Sequence, residues 1–192
     1  MNTHIILASS SPRKNSLLTE TGLKFKTVPS NVDEKAKISE SAEDFALRTA
    51  KEKALKASLK EKGIIIAADT VIKIDSSIIG KPKDGKDAVR ILSRLSGRKH
   101  AVITGLAVYD TSTKRFYTKC VRTYVTMDTL SPEQIKSYVR TGEPLDKAGG
   151  YAIQGKGKFF IRKIDGCYFN VVGLPLNALS KLLNKAGCKK LF

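Results

Sequence analysis

The chain's 192 residues, 41% of them hydrophobic, suffice for one domain, or one domain of two lobes, with an ordinary buried core. Against 18 Asp and Glu stand 35 Lys and Arg, and the formal charge of +17 points to polyanions: nucleic acid, an anionic membrane or a polyphosphate. The absence of Trp, with 7% aromatic residues and no zinc-finger or RNP-like spacing, argues against a stacking platform or a known nucleic-acid module, and the scattered lysines read mostly as solvated faces.

His4 to Ala8 reads as a first strand. Ser9-Ser10-Ser11-Pro12-Arg13-Lys14 follows as a loop opening a helix, with Ser11 at the N-cap, Pro12 at the first helical position and Gly22 at the close. A strand leading through hydroxyls into a helix N-terminus makes an anion site, and Arg13 adds a forked cation suited to phosphate. The plainer alternative is an ordinary Ser/Pro cap flanked by exposed basic residues. Phe25 to Val28 reads as a second strand, and Val32-Asp33-Glu34-Lys35 places two acids in a loop, by default as surface charge. Ser41 caps a long helix with Asp44 as the capping-box acid, and Ala42, Phe45, Ala46, Ala50, Ala54 and Ala57 recur at helical spacing. Lys53 falls at the border of that small-residue face, where a lysine either snorkels to solvent or points into a cleft.

Gly63 to Ile74 is an apolar, β-branched run that reads as a buried strand with Asp69 near its middle. An unpaired buried carboxylate costs roughly several kcal/mol, so a cation should face Asp69. The competing reading ends the strand at Asp69, with its side chain bonded back to the backbone in a turn; the missing Gly or Pro beside it favours the continuous strand. Asp75-Ser76-Ser77 then turns the chain back through Ile78-Ile79 to Gly80-Lys81-Pro82, where Pro82 holds Lys81 extended and presents its ammonium from a stiff backbone. Asp84 caps the next helix, with Ala88, Ile91, Leu92 and Leu95 as its stripe and Gly97 as its stop.

His100 to Tyr109 and Arg115 to Met127 read as an antiparallel pair, and Leu130-Ser131-Pro132-Glu133-Gln134-Ile135 carries cap, N1 proline, capping-box Gln134 and an apolar staple in register. Residues 142–155 form a long glycine-containing segment of the kind that lets a backbone approach a ligand. Phe159 to Ile164 and Tyr168 to Val172 read as a second hairpin about Asp165-Gly166, and a last helix begins near Pro175. The pattern is mixed α/β with antiparallel pairs and argues against a plain doubly wound parallel sheet. Cys120, Cys167 and Cys188, odd in number and far apart, argue against a disulfide framework and fit a reducing cytoplasm. Ile5 to Ala8 is too short for a signal-peptide core, and no stretch approaches the roughly 20 apolar residues of a membrane span.

Ser-Ser-Ser-Pro-Arg at 9–13, Ala-Asp-Thr at 68–70, Gly-Lys-Pro at 80–82, Gly-Tyr-Ala-Ile-Gln-Gly at 150–155 and Gly-Leu-Pro-Leu at 173–176 together resemble the Maf family nearly end to end. The resemblance implies a single domain over 1–192 with an elongated mixed α/β fold. It is similar to that of the inosine triphosphate pyrophosphatases, with the sheet in two lobes around a cleft. It also implies a cytoplasmic nucleoside triphosphate pyrophosphatase that uses Mg²⁺ or Mn²⁺, with homodimers common among relatives and no membrane or nucleic acid required. On that pattern Asp69 is the general base for water attack at the α-phosphorus, and Glu34 with Asp69 holds the metal. Ser9, Arg13, Lys53 and Lys81 are phosphate contacts, and Arg13, Thr70 and Gln154 mark the branch acting on dTTP and UTP. A Gln amide both donates and accepts, which matches the edge of uracil or thymine. Two positions depart from the pattern: Lys14 stands where many relatives have a second Arg, and Ala152 replaces a common Gly. Two alternatives remain open: a non-catalytic basic protein that binds nucleic acid or senses nucleotides, and the same chemistry directed at 7-methyl-GTP.

Overall fold

The structure is a computed structural model that describes residues 4–188. Strand β1 (Ile5–Leu7) leads into helix α1 (Pro12–Glu20), strand β2 (Lys26–Thr27) and helix α2 (Ala42–Ser58). Next come β3 (Ile64–Ile74), β4 (Ser77–Ile79), α3 (Gly85–Leu95), β5 (Lys99–Asp110), β6 (Arg115–Met127) and α4 (Pro132–Arg140). Three short 3₁₀ turns at Glu143–Asp146, Ala148–Gly150 and Lys156–Phe160 precede β7 (Ile161–Asp165), α5 (Tyr168–Val172) and α6 (Leu176–Lys185).

The described strands form one mixed sheet in the order β2-β1-β3-β5-β6-β7, with β4 paired to β3. Pairing is parallel where Ile5, Ile6 and Leu7 face Ile64, Ile65 and Ile66, and antiparallel where Ile72 faces Ile79 and Tyr124 faces Asp165. Long strands with interior runs of Ile, Ala and Val are what burial on both faces selects, and β3 is buried at every position except Thr70 and Lys73.

The chain divides into two compact units. The first comprises the chain up to Asp69, Thr104–Val121 and the chain from Gly173; the second comprises Thr70–Ile103 and Arg122–Val172. In the first, Ile6, Ala8, Val28, Ala54, Ala57, Ile65 and Ala67 share one apolar cluster. In the second, Ile72, Ile91, Leu92, Leu95, Val125, Met127 and Tyr138 belong to a larger one. Helix α3 enters it with Ala88, Ile91, Leu92 and Leu95 buried, as the stripe predicts, and Asp84 caps it by accepting from Asp87 N at 2.8 Å. Helix α4 carries the complete capping box, Ser131 with Gln134.

One expected strand is absent. Tyr168 to Val172 is helix α5 rather than the second strand of a hairpin, and β7 pairs with β6 instead. The cause is non-local: Asn170, fully buried, donates from Nδ2 to Val102 O and to Thr123 Oγ1, both at 3.1 Å. Thr123 Oγ1 also receives Cys167 N at 3.0 Å, while Cys167 O accepts from Asn170 N and Val171 N. Those bonds close a helical turn and override the β-propensity of Tyr-Phe-Asn-Val-Val.

Candidate active site

Asp69 lies within an unbroken β3, so the turn reading is excluded, and the cation expected opposite it is Lys53. Lys53 Nζ lies 2.5 Å from Asp69 Oδ1 and 2.7 Å from Glu34 Oε1. Both members of the inner pair are buried, Lys53 at 9% exposure and Asp69 at 7%. Lys53 therefore does not snorkel from a border; it follows Ala42, Phe45, Ala46, Thr49 and Ala50 on the buried face of α2. Small residues let that face approach the sheet. A side chain at Gly105 of β5 would sit 2.3 Å from Ala46 C and O, so the glycine permits the contact that sets the helix at bonding distance. Burial alone would push the Lys53 ammonium down, but Asp69 and Glu34 outweigh it and hold the pKa above the ordinary lysine value.

Glu34 belongs to a loop without regular structure, and α2 is what orders that loop. Ser30 Oγ donates to Lys53 O at 2.6 Å, and Lys56 Nζ donates to Asn31 O at 2.5 Å. Arg48 then makes a fork on Glu40, Nε to Oε1 at 2.7 Å and Nη2 to Oε2 at 2.8 Å, while Nη2 also reaches Lys35 O at 2.9 Å. The guanidinium holds the Glu40 carboxyl down to about 2. Two acids in a loop of a basic chain read as surface charge, and both are exposed, yet Glu34 also reaches the buried Lys53 ammonium. Arg48's hold on the loop leaves no mark in the sequence, because Glu40 and Lys35 lie 8 and 13 positions away in a loop without periodicity.

The Ser-Ser-Ser-Pro-Arg stretch joins β1 to α1 as expected, with Pro12 at the first helical position. The cap differs from expectation: Ser11 makes no side-chain cap bond, and Ser9 Oγ instead accepts from Ser11 N at 3.1 Å. Ser9 is buried, Arg13 is half-buried in the first turn of α1, and a cavity of about 670 Å³ opens along Ser9, Ser10, Ser11, Asn15, Thr27 and Pro29.

In the second unit, Lys81 is exposed in the loop between β4 and α3, on the stiff backbone set by buried Pro82. The glycine segment is tied to that loop, since Gly149 N donates to Gly80 O at 2.9 Å. Gln154 is exposed in the turn closed by Gly155 N on Ala152 O at 3.2 Å, and Thr70 is half-buried in β3. Beneath this segment Tyr151 Oη and His100 Nε2 lie 2.7 Å apart, both buried. Burial holds His100 down to about 4 and pushes the Tyr151 phenol up. Neither the His100 partnership nor the roles of Tyr138 and Glu143 described below were visible in the sequence.

The Maf-like protein family matches residues 4–186. The chain belongs to the Maf family. It is 48% identical over 189 residues to a dTTP/UTP pyrophosphatase of Dictyoglomus turgidum, covering 97% of this chain and 98% of that one. With a dTTP/UTP pyrophosphatase of Geotalea uraniireducens it shares 45% identity over 185 residues, covering 96% and 95%. Among solved structures, a HAM1 protein from Coxiella burnetii matches with a TM-score of 0.53 at 16% identity, covering 95% of this chain and 99% of that one, which establishes a shared fold.

For a Maf protein the divalent cation is a matter of donor chemistry. Glu34 and Asp69 converge on a single ammonium, so two hard carboxylates already face one cationic position. Mg²⁺ is held typically by one or two carboxylates together with substrate phosphates and water, and this pair fits that requirement. No group of three or more His, Cys, Asp or Glu positioned for a metal occurs among the described residues. No helix among them is long and apolar enough to cross a membrane.

Proposed function

We propose that this Maf protein hydrolyses pyrimidine nucleoside triphosphates, dTTP and UTP foremost, to the monophosphate and pyrophosphate. The observation that carries the reading is the buried Asp69–Lys53 pair with exposed Glu34 on its ammonium, because a carboxylate and an ammonium fixed together out of water suit base-assisted attack on a polyanion. Asp69 takes the proton from the attacking water. Lys53, kept charged by its two carboxylates, has three donors, of which two are engaged by Asp69 and Glu34, so the third serves a phosphate oxygen. Ser9 and Arg13 meet further phosphate oxygens at the N-terminus of α1, and Lys81 supplies another ammonium. Glu34 and Asp69 would hold Mg²⁺ or Mn²⁺, which would neutralise charge on the phosphate oxygens when bound. Arg13, Thr70 and Gln154 select the pyrimidine nucleotide, Gln154 by pairing its amide with the edge of uracil or thymine. Residues 1–192 act as one catalytic domain, in the cytoplasm and without requiring nucleic acid, and homodimers are what the resemblance to the family implies.

Support comes from the 48% and 45% identity to relatives named dTTP/UTP pyrophosphatase. The test is pyrophosphate release from dTTP, UTP, CTP, GTP and 7-methyl-GTP with Mg²⁺ or Mn²⁺. Cleavage of dTTP and UTP ahead of the others supports the proposal. A preference for 7-methyl-GTP overturns the Gln154 assignment, and no cleavage of any nucleotide with either metal overturns the enzyme reading.

A further inference from the structure

The turn that carries Gln154 has its two flanks fixed by groups that no motif of the sequence includes. On one side, Ala152 N donates to Tyr138 Oη at 3.1 Å. On the other, Lys156 N donates to Glu143 Oε2 at 3.0 Å and Gly157 N donates to Glu143 Oε1 at 3.1 Å, so the carboxylate caps the 3₁₀ turn that follows Gln154. Tyr138 Oη donates to Glu143 Oε1 at 2.8 Å, which joins the two anchors into one network. A phenol that accepts Ala152 N and donates to a carboxylate uses both of its functions, and the carboxylate collects three donors.

The glycines fit this network closely. A side chain at Gly155 would meet the Glu143 carboxylate at 2.4 to 2.5 Å, and one at Gly157 would meet Tyr138 Oη at 2.7 Å and the Ala152 backbone at 2.8 Å. Neither position has the left-handed φ that favours glycine. Glycine is needed at both because the anchors occupy the space a Cβ would take. The edge of the Tyr138 ring stands against Phe160 at 5.0 Å between centroids, which seats the phenol in the apolar core of α4. Burial raises the Glu143 carboxyl, but the Lys156 N–H, the Tyr138 hydroxyl and the Gly157 N–H outweigh it and hold it below the usual range, so the anchor stays anionic at neutral pH.

We propose that Glu143, through Tyr138 and the amides of residues 152, 156 and 157, is a positioning residue that fixes Gln154 for nucleobase selection. The inference rests on the reading of Gln154 as a base contact. An exposed side chain at the apex of a turn discriminates poorly unless its backbone is held, because each alternative backbone position brings the amide to a different edge. Glu143 and Tyr138 hold both sides of that apex while leaving Gln154 itself exposed.

The test compares wild type with Glu143→Gln, Tyr138→Phe, Gln154→Ala and the double variant Glu143→Gln/Gln154→Ala. Steady-state pyrophosphate release from UTP and GTP is measured alongside hydrogen exchange at the amides of 152, 156 and 157. Expected for Glu143→Gln is faster exchange at those amides, a KM for UTP raised about tenfold with kcat within about threefold, and a reduced UTP-to-GTP ratio. Tyr138→Phe, which deletes one hydroxyl from a ring left packed, shifts the same quantities in the same direction. In the double variant the loss of selectivity is no greater than in Gln154→Ala alone, because one function is being removed twice. Faster exchange with an unchanged UTP-to-GTP ratio, while Gln154→Ala lowers that ratio, overturns the positioning role and leaves the Gln154 reading intact. Unchanged selectivity in Gln154→Ala overturns the reading beneath it. Equal loss of kcat for both nucleotides in Glu143→Gln with unchanged KM also overturns the proposal, since it marks damage to the catalytic centre.

Discussion

The two units bury titratable side chains in opposite charge states. In the first, Lys53 is held above the ordinary lysine value and remains an ammonium between two carboxylates. In the second, His100 is held down to about 4 by burial and remains neutral beside Tyr151. The difference follows from what each group meets. Lys53 has anions within 3 Å that outweigh its desolvation, whereas His100 meets a phenol and apolar walls that leave desolvation unopposed. On the proposed mechanism a buried charge is retained where the chemistry acts on a polyanion, and a neutral polar pair suffices where the task is to support a segment. The means of support differ in the same way: Asp69 and Lys53 stand on a long strand and a long helix, while Gln154 stands on a turn held by hydrogen bonds to Glu143 and Tyr138.

Breaking the charged side of this contrast should have the largest effect. Lys53→Met leaves Asp69 buried without its cation, and removing one partner of a buried pair costs about 3–5 kcal/mol. Chemical denaturation should show a loss of that size together with loss of pyrophosphate release. A loss below about 1 kcal/mol would place the pair in the class of solvent-screened surface bridges.

The neutral side is tested with acid. His100 has a depressed pKa in the folded state, so its contribution is complete above about 6.5 and is lost as pH falls through about 4. That interval is worth about 3 kcal/mol at about 1.4 kcal/mol per pH unit. Unfolding free energy followed from pH 7 to 4 should fall more steeply in wild type than in His100→Gln; parallel curves would contradict the assignment. Lys53 has the opposite sign, its raised pKa giving a contribution that is complete below about 10.5 and lost as pH rises through the folded value.

The smallest effect is expected where neither unit's buried charge is involved. Ser131→Ala removes the cap of α4 and should cost about 1 kcal/mol in thermal or chemical unfolding while leaving turnover unchanged. A fall in turnover there would show that α4 does more than carry Tyr138.

What the sequence disclosed divides along the same physical line. Local signals held, the cap bond of Ser11 excepted: the capping residues Ser41, Asp84 and Ser131, the periodic stripe of α3 and the run around Asp69 depend on neighbours within a turn or a strand. The need for a cation opposite Asp69 also followed from solvation alone, although its identity did not. Non-local bonds were illegible. Asn170 reaches Thr123 across 47 residues and turns a β-prone stretch into helix α5, and Glu143 reaches Lys156 and Gly157 only after the chain has folded back. The trace the Glu143 bonds left was Gly155, at the end of the glycine segment read as letting a backbone approach a ligand; Gly157 lay outside that reading.

In the proposed mechanism Asp69 performs chemistry in a cluster whose binding function survives without it. Asp69→Asn keeps the shape and removes the base, so nucleotide affinity and turnover should be measured on the same preparation with UTP and Mg²⁺. The expected result is a dissociation constant within about threefold of wild type and a kcat lower by about 10²–10⁴, the span of general-base catalysis. Turnover retained within tenfold, with binding intact, would contradict it.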